Sequence, residues 1–471
     1  MDSRSLQFVA TACAGELLSG SAQQLVARVC TDSRQARTGD LFFALRGEKF
    51  DGHDFIGDVT GNKVGAVVVE RGRLQAGAAP GQCPWIVVED TRLALGRFAA
   101  VYRKDFSLPV AVVAGSNGKT TTKELIASVL RQRFSTLASE ASFNNDIGVP
   151  LTLLRLETAH QAAVLEAGTN HPGELAPLVR MARPDYGILT AIGREHLEYF
   201  GDLAGVSREE GWLAELLPAR GKLFLHGDSE WTEPIARRAH ALVVRVGFSE
   251  NNQWRVVGVR LEKSGTVFRV EAPQSDFAGE YRLRLLGRHQ VLNAVFALAL
   301  GAELGLSRSE IEQGLLECKP AKMRMDLWEV AGVRVLDDCY NANADSMNAA
   351  LETLHELPCR GRRVAVLGDM AEQGVHAPAV HEEVGRRAAE TGVGQLFAVG
   401  RMAAIMAQAA RQAGLNRVLE FADVETAGAA VKSFVREGDL VLLKASRSSR
   451  LERIGDVLRA EKKTDSPAIT G

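Results

Sequence analysis

From Pro109 onward the chain alternates between two kinds of segment. PVAVVAG at Pro109, AAVLEAG at Ala162 and YGILTAIG at Tyr186 are short apolar runs that read as buried strands. TTKELIASVLRQR at Thr121 instead carries its apolar residues at helical spacing. Such alternation predicts a parallel sheet with helices on its faces. Between residues 251 and 286 the rhythm breaks. WRVVGVR, GTVFRVE and YRLRLL alternate apolar with polar positions, as antiparallel strands do, and HQVLNAVFALALGAELGLS then predicts a long helix. A further α/β series starts near Pro320, with VRVLDD, RVAVLGD, QLFAVG and DLVLLKAS as its strands. Ahead of SLP at Ser107, GDLFFAL, GAVVVE and WIVVED read as strands and TRLALGRFAAVYRKDF as a helix. The expected fold class is α/β in three domains with short linkers, over residues 1–107, 108–318 and 319–471. The terminal EKKTDSPAITG is polar and expected to fray.

The length, 471 residues, suits about three domains at roughly 150 residues each. Hydrophobic residues make up 46% and charged residues 24%, as in a globular protein, and the formal net charge of -2 offers no basic field for a nucleic-acid partner. No apolar run reaches the roughly 20 residues that cross a bilayer, so no membrane insertion is expected. The opening MDSRSLQFVATAC lacks a signal-peptide apolar core, and the six cysteines form no C-x-x-C pair. A cytoplasmic monomer with reduced thiols is the simplest expectation.

VVAGSNGKTTTKEL, starting at Val112, changes the picture from fold to chemistry. A glycine-rich loop between a strand and a helix exposes backbone N–H groups that can face phosphate oxygens, with the helix N-terminus adding to the attraction. Gly115, Ser116, Asn117, Gly118, Lys119, Thr120 and Thr121 are therefore the candidate nucleotide-binding residues. Lys119 supplies a charge for the β/γ-phosphates, and the Thr120 hydroxyl is a candidate Mg²⁺ ligand. The longer G-x-x-x-x-G-K-T pattern would place glycine where Val113 stands, so the loop is a shortened variant. Such a loop fits a motor, a switch, a kinase or a ligase. Glu166 ends one predicted strand and His196 follows the next, so both belong on the carboxyl edge where parallel sheets place their ligands.

With these residues in place the chain resembles the ATP-dependent Mur ligases of peptidoglycan synthesis. GSNGKTTTKE, FNNDIGVPLTLL, LEAGTNHPGE, HLEYFG and GRHQVLNAVFALA occur in that family's order and spacing. TDSRQARTGDLFFALRGEKFDGHDFI, LDDCYNANADSM and VLGDMAEQG make it most similar to the MurF type, which adds D-alanyl-D-alanine to UDP-N-acetylmuramoyl-tripeptide. The resemblance spans roughly residues 25–455. It implies a first domain that grips the UDP-sugar, a central P-loop ATPase and a Rossmann-like third domain that closes with the acceptor. ATP and Mg²⁺ are then the cofactors. Lys119 would hold the phosphates, Thr120 and Glu166 one Mg²⁺, and Glu166 with His196 a second. Asn293 matches an adenine contact, Arg324 an arginine reaching the nucleotide from the third domain, and Asp338 an acid near the ribose. Ser33 and Arg34 match the uridine region; Asn144 and Asn145 match the sugar-peptide site.

Some positions depart from the family pattern. Ala344 stands where proline is usual, which is expected to loosen a turn, and KASRSSRLE replaces the commoner KGSRGMRLE. More important, Glu210 stands where relatives carry a carbamylated lysine on the second Mg²⁺. Three readings of Glu210 are open: a helix-surface residue, a direct metal ligand, or a ligand acting through one metal-bound water. The last is the expectation adopted. The rival functions are a sibling ligase or folylpolyglutamate synthetase using another acceptor, a P-loop switch without ligation, and a weakened paralogue. No N-K-x-D guanine-reading motif occurs.

Overall fold

Nine strands make the central sheet of the computed structural model, which describes residues 1–73 and 83–460 and so leaves EKKTDSPAITG outside the described residues. Their spatial order is Gly279–Leu283, Gly265–Glu271, Trp254–Glu262, Leu242–Gly247, Lys222–His226, Tyr186–Leu189, Val110–Ala114, Ala162–Glu166 and Thr136–Ala138. Pairing is parallel from Thr136–Ala138 as far as Trp254–Glu262, and antiparallel beyond. The segment that broke the sequence rhythm therefore makes no sheet of its own; it extends the edge of the parallel one. Its alternation has a simple cause. Trp254, Val256, Phe268, Val270, Tyr281 and Leu283 face a core that includes Val291, Val295 and Leu298 of helix Arg288–Glu303, while intervening residues stay wet.

The first lobe is a five-stranded sheet in the order Glu16–Leu17, Trp85–Val88, Ala66–Glu70, Leu41–Phe43, Val29–Cys30. Helix Thr91–Arg103, capped by Asp90 whose carboxylate accepts from the Leu93 N–H at 2.7 Å, follows it. Phe98 and Tyr102 of this helix share one apolar cluster with Phe43 of the first sheet and Val110, Val112 and Leu165 of the central one. The hydrophobic core thus runs on past residue 107.

The third lobe holds a six-stranded sheet in the order Asp326–Val330, Val333–Asp338, Leu440–Lys444, Arg363–Leu367, Gln395–Val399, Val418–Phe421. It is parallel except for the edge hairpin with Asp326–Val330, a strand whose mixed DLWEV sequence gives no strand signal. Helix Ala344–Glu356 opens with a capping box between Asn343 and Ser346. Ala344 is its first residue and is buried, so the departure from proline falls on a helix entry, where proline is favoured, and not on a turn. No helix among the described residues is long and apolar enough to cross a membrane.

Candidate active site

The carboxyl edges of the central and third-lobe sheets face each other across a cavity of about 490 Å³. Strand Val110–Ala114 delivers the glycine-rich loop to it, and helix Lys119–Leu130 leads away. Gly115 and Gly118 have φ of 112° and 86°, in the left-handed region open to glycine. A Cβ on Gly115 would lie 2.6 Å from Thr190 Oγ1, and one on Gly118 would lie 2.6 Å from Asn293 Oδ1. The loop is stitched to its neighbour: the Ser116 N–H donates to Ala191 O (2.7 Å), Ser116 Oγ accepts from the Gly193 N–H (2.9 Å), and Thr190 Oγ1 donates to Asn117 O (2.6 Å).

Not every loop amide faces the cavity. The Gly115 N–H donates to Glu210 Oε2 at 2.8 Å, so this amide and that of Ser116 are engaged within the fold. The amides from Asn117 onward, at the start of the helix, are the ones placed to meet an anion. That narrows the expectation for the loop.

Lys119 is ringed by carboxylates. Its Nζ donates to Gly115 O, to Ser116 O (3.3 Å) and to Glu195 Oε2 (3.3 Å). Burial works against its charge, but Glu195, Glu210 and Glu166 outweigh this and hold its pKa above the ordinary lysine value. Glu166 is 1% exposed; its Oε1 accepts from Asn144 Nδ2 at 2.8 Å, while its Oε2 has no protein partner. Glu195 Oε1 and Glu210 Oε1 are likewise buried and unpartnered. Glu195 lines the cavity and was not singled out in the sequence; its one signal was its place beside His196 in REHLEYFG.

Glu210 is 0% exposed, which rules out the helix-surface reading. Burial pushes its carboxyl up to about 8, against the opposing pull of Lys119. It sits behind the loop, bonded to the Gly115 amide, and does not line the cavity. The expectation that it reaches an ion through one water finds it on the loop's far side, where its contact is with backbone. The cause is the helix Leu203–Glu210, which ends under the loop and leaves a short side chain just long enough for Gly115.

The remaining expected residues divide. Thr120, Thr121, Asn144, Asn145, Asn293, Arg324, Asp338 and His196 all line the cavity. Thr120 Oγ1 lies 3.3 Å from Ser142 Oγ, which also accepts from Arg324 Nη2 at 3.1 Å. The Arg324 guanidinium stacks 3.9 Å from the Tyr340 ring centroid. Asn293 is held by Thr122 (3.1 Å) and Gln290 (2.9 Å), and Asn145 caps the turn into Gly148–Leu153. Asp338 pairs with Lys444, itself 2% exposed. Ser33 and Arg34 are apart from all of these: they lie on a first-lobe turn, and Arg34, 87% exposed in its side chain, is tied to Asp32.

The lobes also touch directly. Arg194 bonds both Asp345 and Glu383, Asn343 Nδ2 donates to Asn117 Oδ1 at 3.0 Å, and His196 Nδ1 bonds Glu372. None of these cross-lobe partners was expected from the sequence.

Family models match along the chain: "Mur ligase family, catalytic domain" at residues 26–103, "Mur ligase middle domain" at 113–301 and "Mur ligase, glutamate ligase domain" at 323–447. The UDP-N-acetylmuramoyl-tripeptide--D-alanyl-D-alanine ligase of Escherichia coli (strain K12) is 36% identical over 90% of this chain and 92% of its own. The chain belongs to the Mur ligase family. Among solved Mur ligase structures, MurF from Acinetobacter baumannii superposes with a TM-score of 0.88 at 31% identity, covering 98% of this chain and 99% of that one. MurF from Thermotoga maritima in complex with ADP gives 0.81 at 26% identity, covering 94% and 99%. The Mur ligase family forms carbon–nitrogen bonds with ATP, so the chain is a ligase and not a switch.

Proposed function

We propose that this chain joins D-alanyl-D-alanine to UDP-N-acetylmuramoyl-tripeptide at the expense of ATP, in the cytoplasm. The substrate reading is carried by the 36% identity to the Escherichia coli enzyme across 90% of the chain. The chemistry is supported by Lys119 among three buried carboxylates, of which Glu166 and Glu195 line the cavity. Residues 1–107 would hold the UDP-sugar through a surface that includes Ser33 and Arg34. Residues 108–318 would hold ATP, and residues 319–471 would bring the acceptor. Nothing in the cleft favours the weakened paralogue.

A carboxylate is a poor electrophile in water. Attack of the tripeptide carboxylate on the γ-phosphorus breaks the bond to ADP and gives an acyl phosphate. The acceptor amine then attacks the acyl carbon, phosphate leaves with its electron pair, and the amine sheds its proton. Catalysis of this kind is chiefly alignment and charge neutralisation. Lys119, which folds back on Gly115 O and Glu195, would turn to the β/γ-phosphates. Asn293 and Arg324 would set the nucleotide's direction along the cleft. The contacts of Arg194 and Asn343 would keep water away from the acyl phosphate by holding the third lobe closed.

The residues fit Mg²⁺. Glu166 Oε2 is a buried carboxylate oxygen with no protein partner, and Glu166 and Thr120 line the same cavity. Among the described residues no three His, Cys, Asp or Glu side chains form a complete cage, in keeping with an ion that takes most of its oxygens from phosphate and water. Thr120, Glu166 and His196 would hold it, with Glu210 acting on the loop behind. When bound it would neutralise phosphate charge.

Phosphate release with UDP-N-acetylmuramoyl-tripeptide should require D-alanyl-D-alanine and fail with single amino acids. Equal stimulation by a single amino acid would replace this reading with that of a sibling ligase.

A further inference from the structure

Three contacts bring one turn of the third lobe onto one turn of the central lobe. The Glu198 N–H donates to Glu372 O at 3.2 Å, His376 Nε2 meets Gly201 O at 3.0 Å, and His196 Nδ1 bonds the Glu372 carboxylate. The approach is close: a Cβ on Gly374, at φ 51°, would lie 3.2 Å from Glu198 Cα. Glu372 and His196 themselves adopt left-handed φ of 57° and 48°, which non-glycine residues hold only where surroundings enforce it.

The arrangement fixes which end of the imidazole is available. An ionised carboxylate only accepts, so in the neutral ring Nδ1 carries the hydrogen and Nε2 is left with its lone pair. Nε2 is the end on the cavity side, 4.0 Å from Glu195 Oε2. A carboxylate behind a metal-binding histidine orients the ring and raises its basicity, and its loss commonly costs 10–100-fold in metal affinity or activity.

We infer that Glu372 is a positioning residue: the third lobe, by docking it on His196 Nδ1, turns His196 Nε2 toward the cation site of the central lobe. This rests on the proposal that His196 serves a divalent cation bound with nucleotide. It makes the cation site complete only when the third lobe is docked. By linkage, cation with nucleotide must tighten that docking by the same factor.

The test titrates Mn²⁺, visible by electron paramagnetic resonance, into the full chain with ADP. Wild type, Glu372→Ala, Glu372→Gln and Arg194→Ala are compared. Arg194→Ala removes the guanidinium's bonds to Asp345 and Glu383, keeps the backbone N–H on Asp345, and leaves the His196–Glu372 bond its partners. Mn²⁺ affinity should fall about 10–100-fold in Glu372→Ala. It should fall less in Arg194→Ala, and recover in part in Glu372→Gln, whose amide oxygen still accepts from Nδ1–H. Equal affinity in wild type and Glu372→Ala would overturn the inference. So would equal losses in Glu372→Ala and Arg194→Ala, which would make docking alone responsible. A wild type that binds no Mn²⁺ with ADP would instead remove the cation reading beneath it.

Discussion

The two sheet edges that face each other across the cleft treat their charges differently. On the central edge, Glu166, Glu195 and Glu210 each keep one buried oxygen without a partner, and they share a single lysine, Lys119. On the third-lobe edge, Asp338 has Lys444 and Asp345 has Arg194. Unpaired buried charge costs folding free energy, and paired buried charge costs far less. The central edge therefore leaves three buried carboxylate oxygens without a protein donor. The third-lobe edge meets its charges in pairs, one of them, Asp345 with Arg194, formed across the cleft.

The sharpest test is Lys119→Ala. It removes the ammonium that the three carboxylates share, so turnover should fall by about 10²–10³-fold while the protein stays folded. Near-normal phosphate release would dissolve the contrast at its source. Asp338→Asn should act in the opposite currency. It strips the counter-charge from a buried ammonium that keeps its bond to Asn341 O, and breaking such a pair costs up to about 3–5 kcal/mol, seen as a lower denaturation midpoint without nucleotide. An unchanged midpoint would show that the third-lobe edge is not held by its pairs.

His289 sharpens the comparison by pH. Burial lowers its pKa from 6.5 to about 4, with Lys444 adding to the effect and Asp338 and Glu352 opposing it. The unfolded chain therefore takes up a proton that the folded one refuses. Stability is full above about pH 6.5 and falls as pH drops toward about 4, by up to about 3 kcal/mol. His289→Gln should flatten the stability profile over that window; an unchanged slope would assign the acid sensitivity elsewhere. The smallest effect on stability is expected from Glu166→Gln, which keeps an acceptor for Asn144 and removes one of the three carboxylates around Lys119. Nucleotide-free stability should hold or rise by about 1 kcal/mol while nucleotide turnover drops, the usual exchange at functional sites. A loss as large as that of Asp338→Asn would erase the distinction between the edges.

Much of this was legible in the sequence, for local reasons. The loop around Lys119 is contiguous, and Glu166 and His196 follow apolar runs that announce parallel strands, so their edge was predictable from pattern alone. The antiparallel strands after residue 251 were visible too, because one wet face imposes alternation. What could not be read lies in distant pairings. His196 and Glu372 are 176 positions apart, and Asp338 and Lys444 are 106 apart. No period or spacing signals such a meeting. Glu210 illustrates the same limit. Its identity was plain, but whether a short carboxylate faces an ion or the Gly115 amide depends on where a helix ends in space. Strand Asp326–Val330 was missed because an edge strand needs no apolar run.

The helix that begins at Lys119 has one further consequence. A Cβ on Gly314 would lie 2.5 Å from Val129 Cα, and one on Gly301 would lie 2.9 Å from Val129 Cγ1, so three helices close on one another there, one pair of them backbone to backbone. Lys119 heads one of these helices and Asn293 belongs to another, with Thr122 hydrogen-bonded between them. Their spacing is therefore machined into the scaffold and does not adjust to what enters. The two act as one jaw: Asn293 sits against the loop at Gly118, so a shift of either helix would carry the other's end of the site with it.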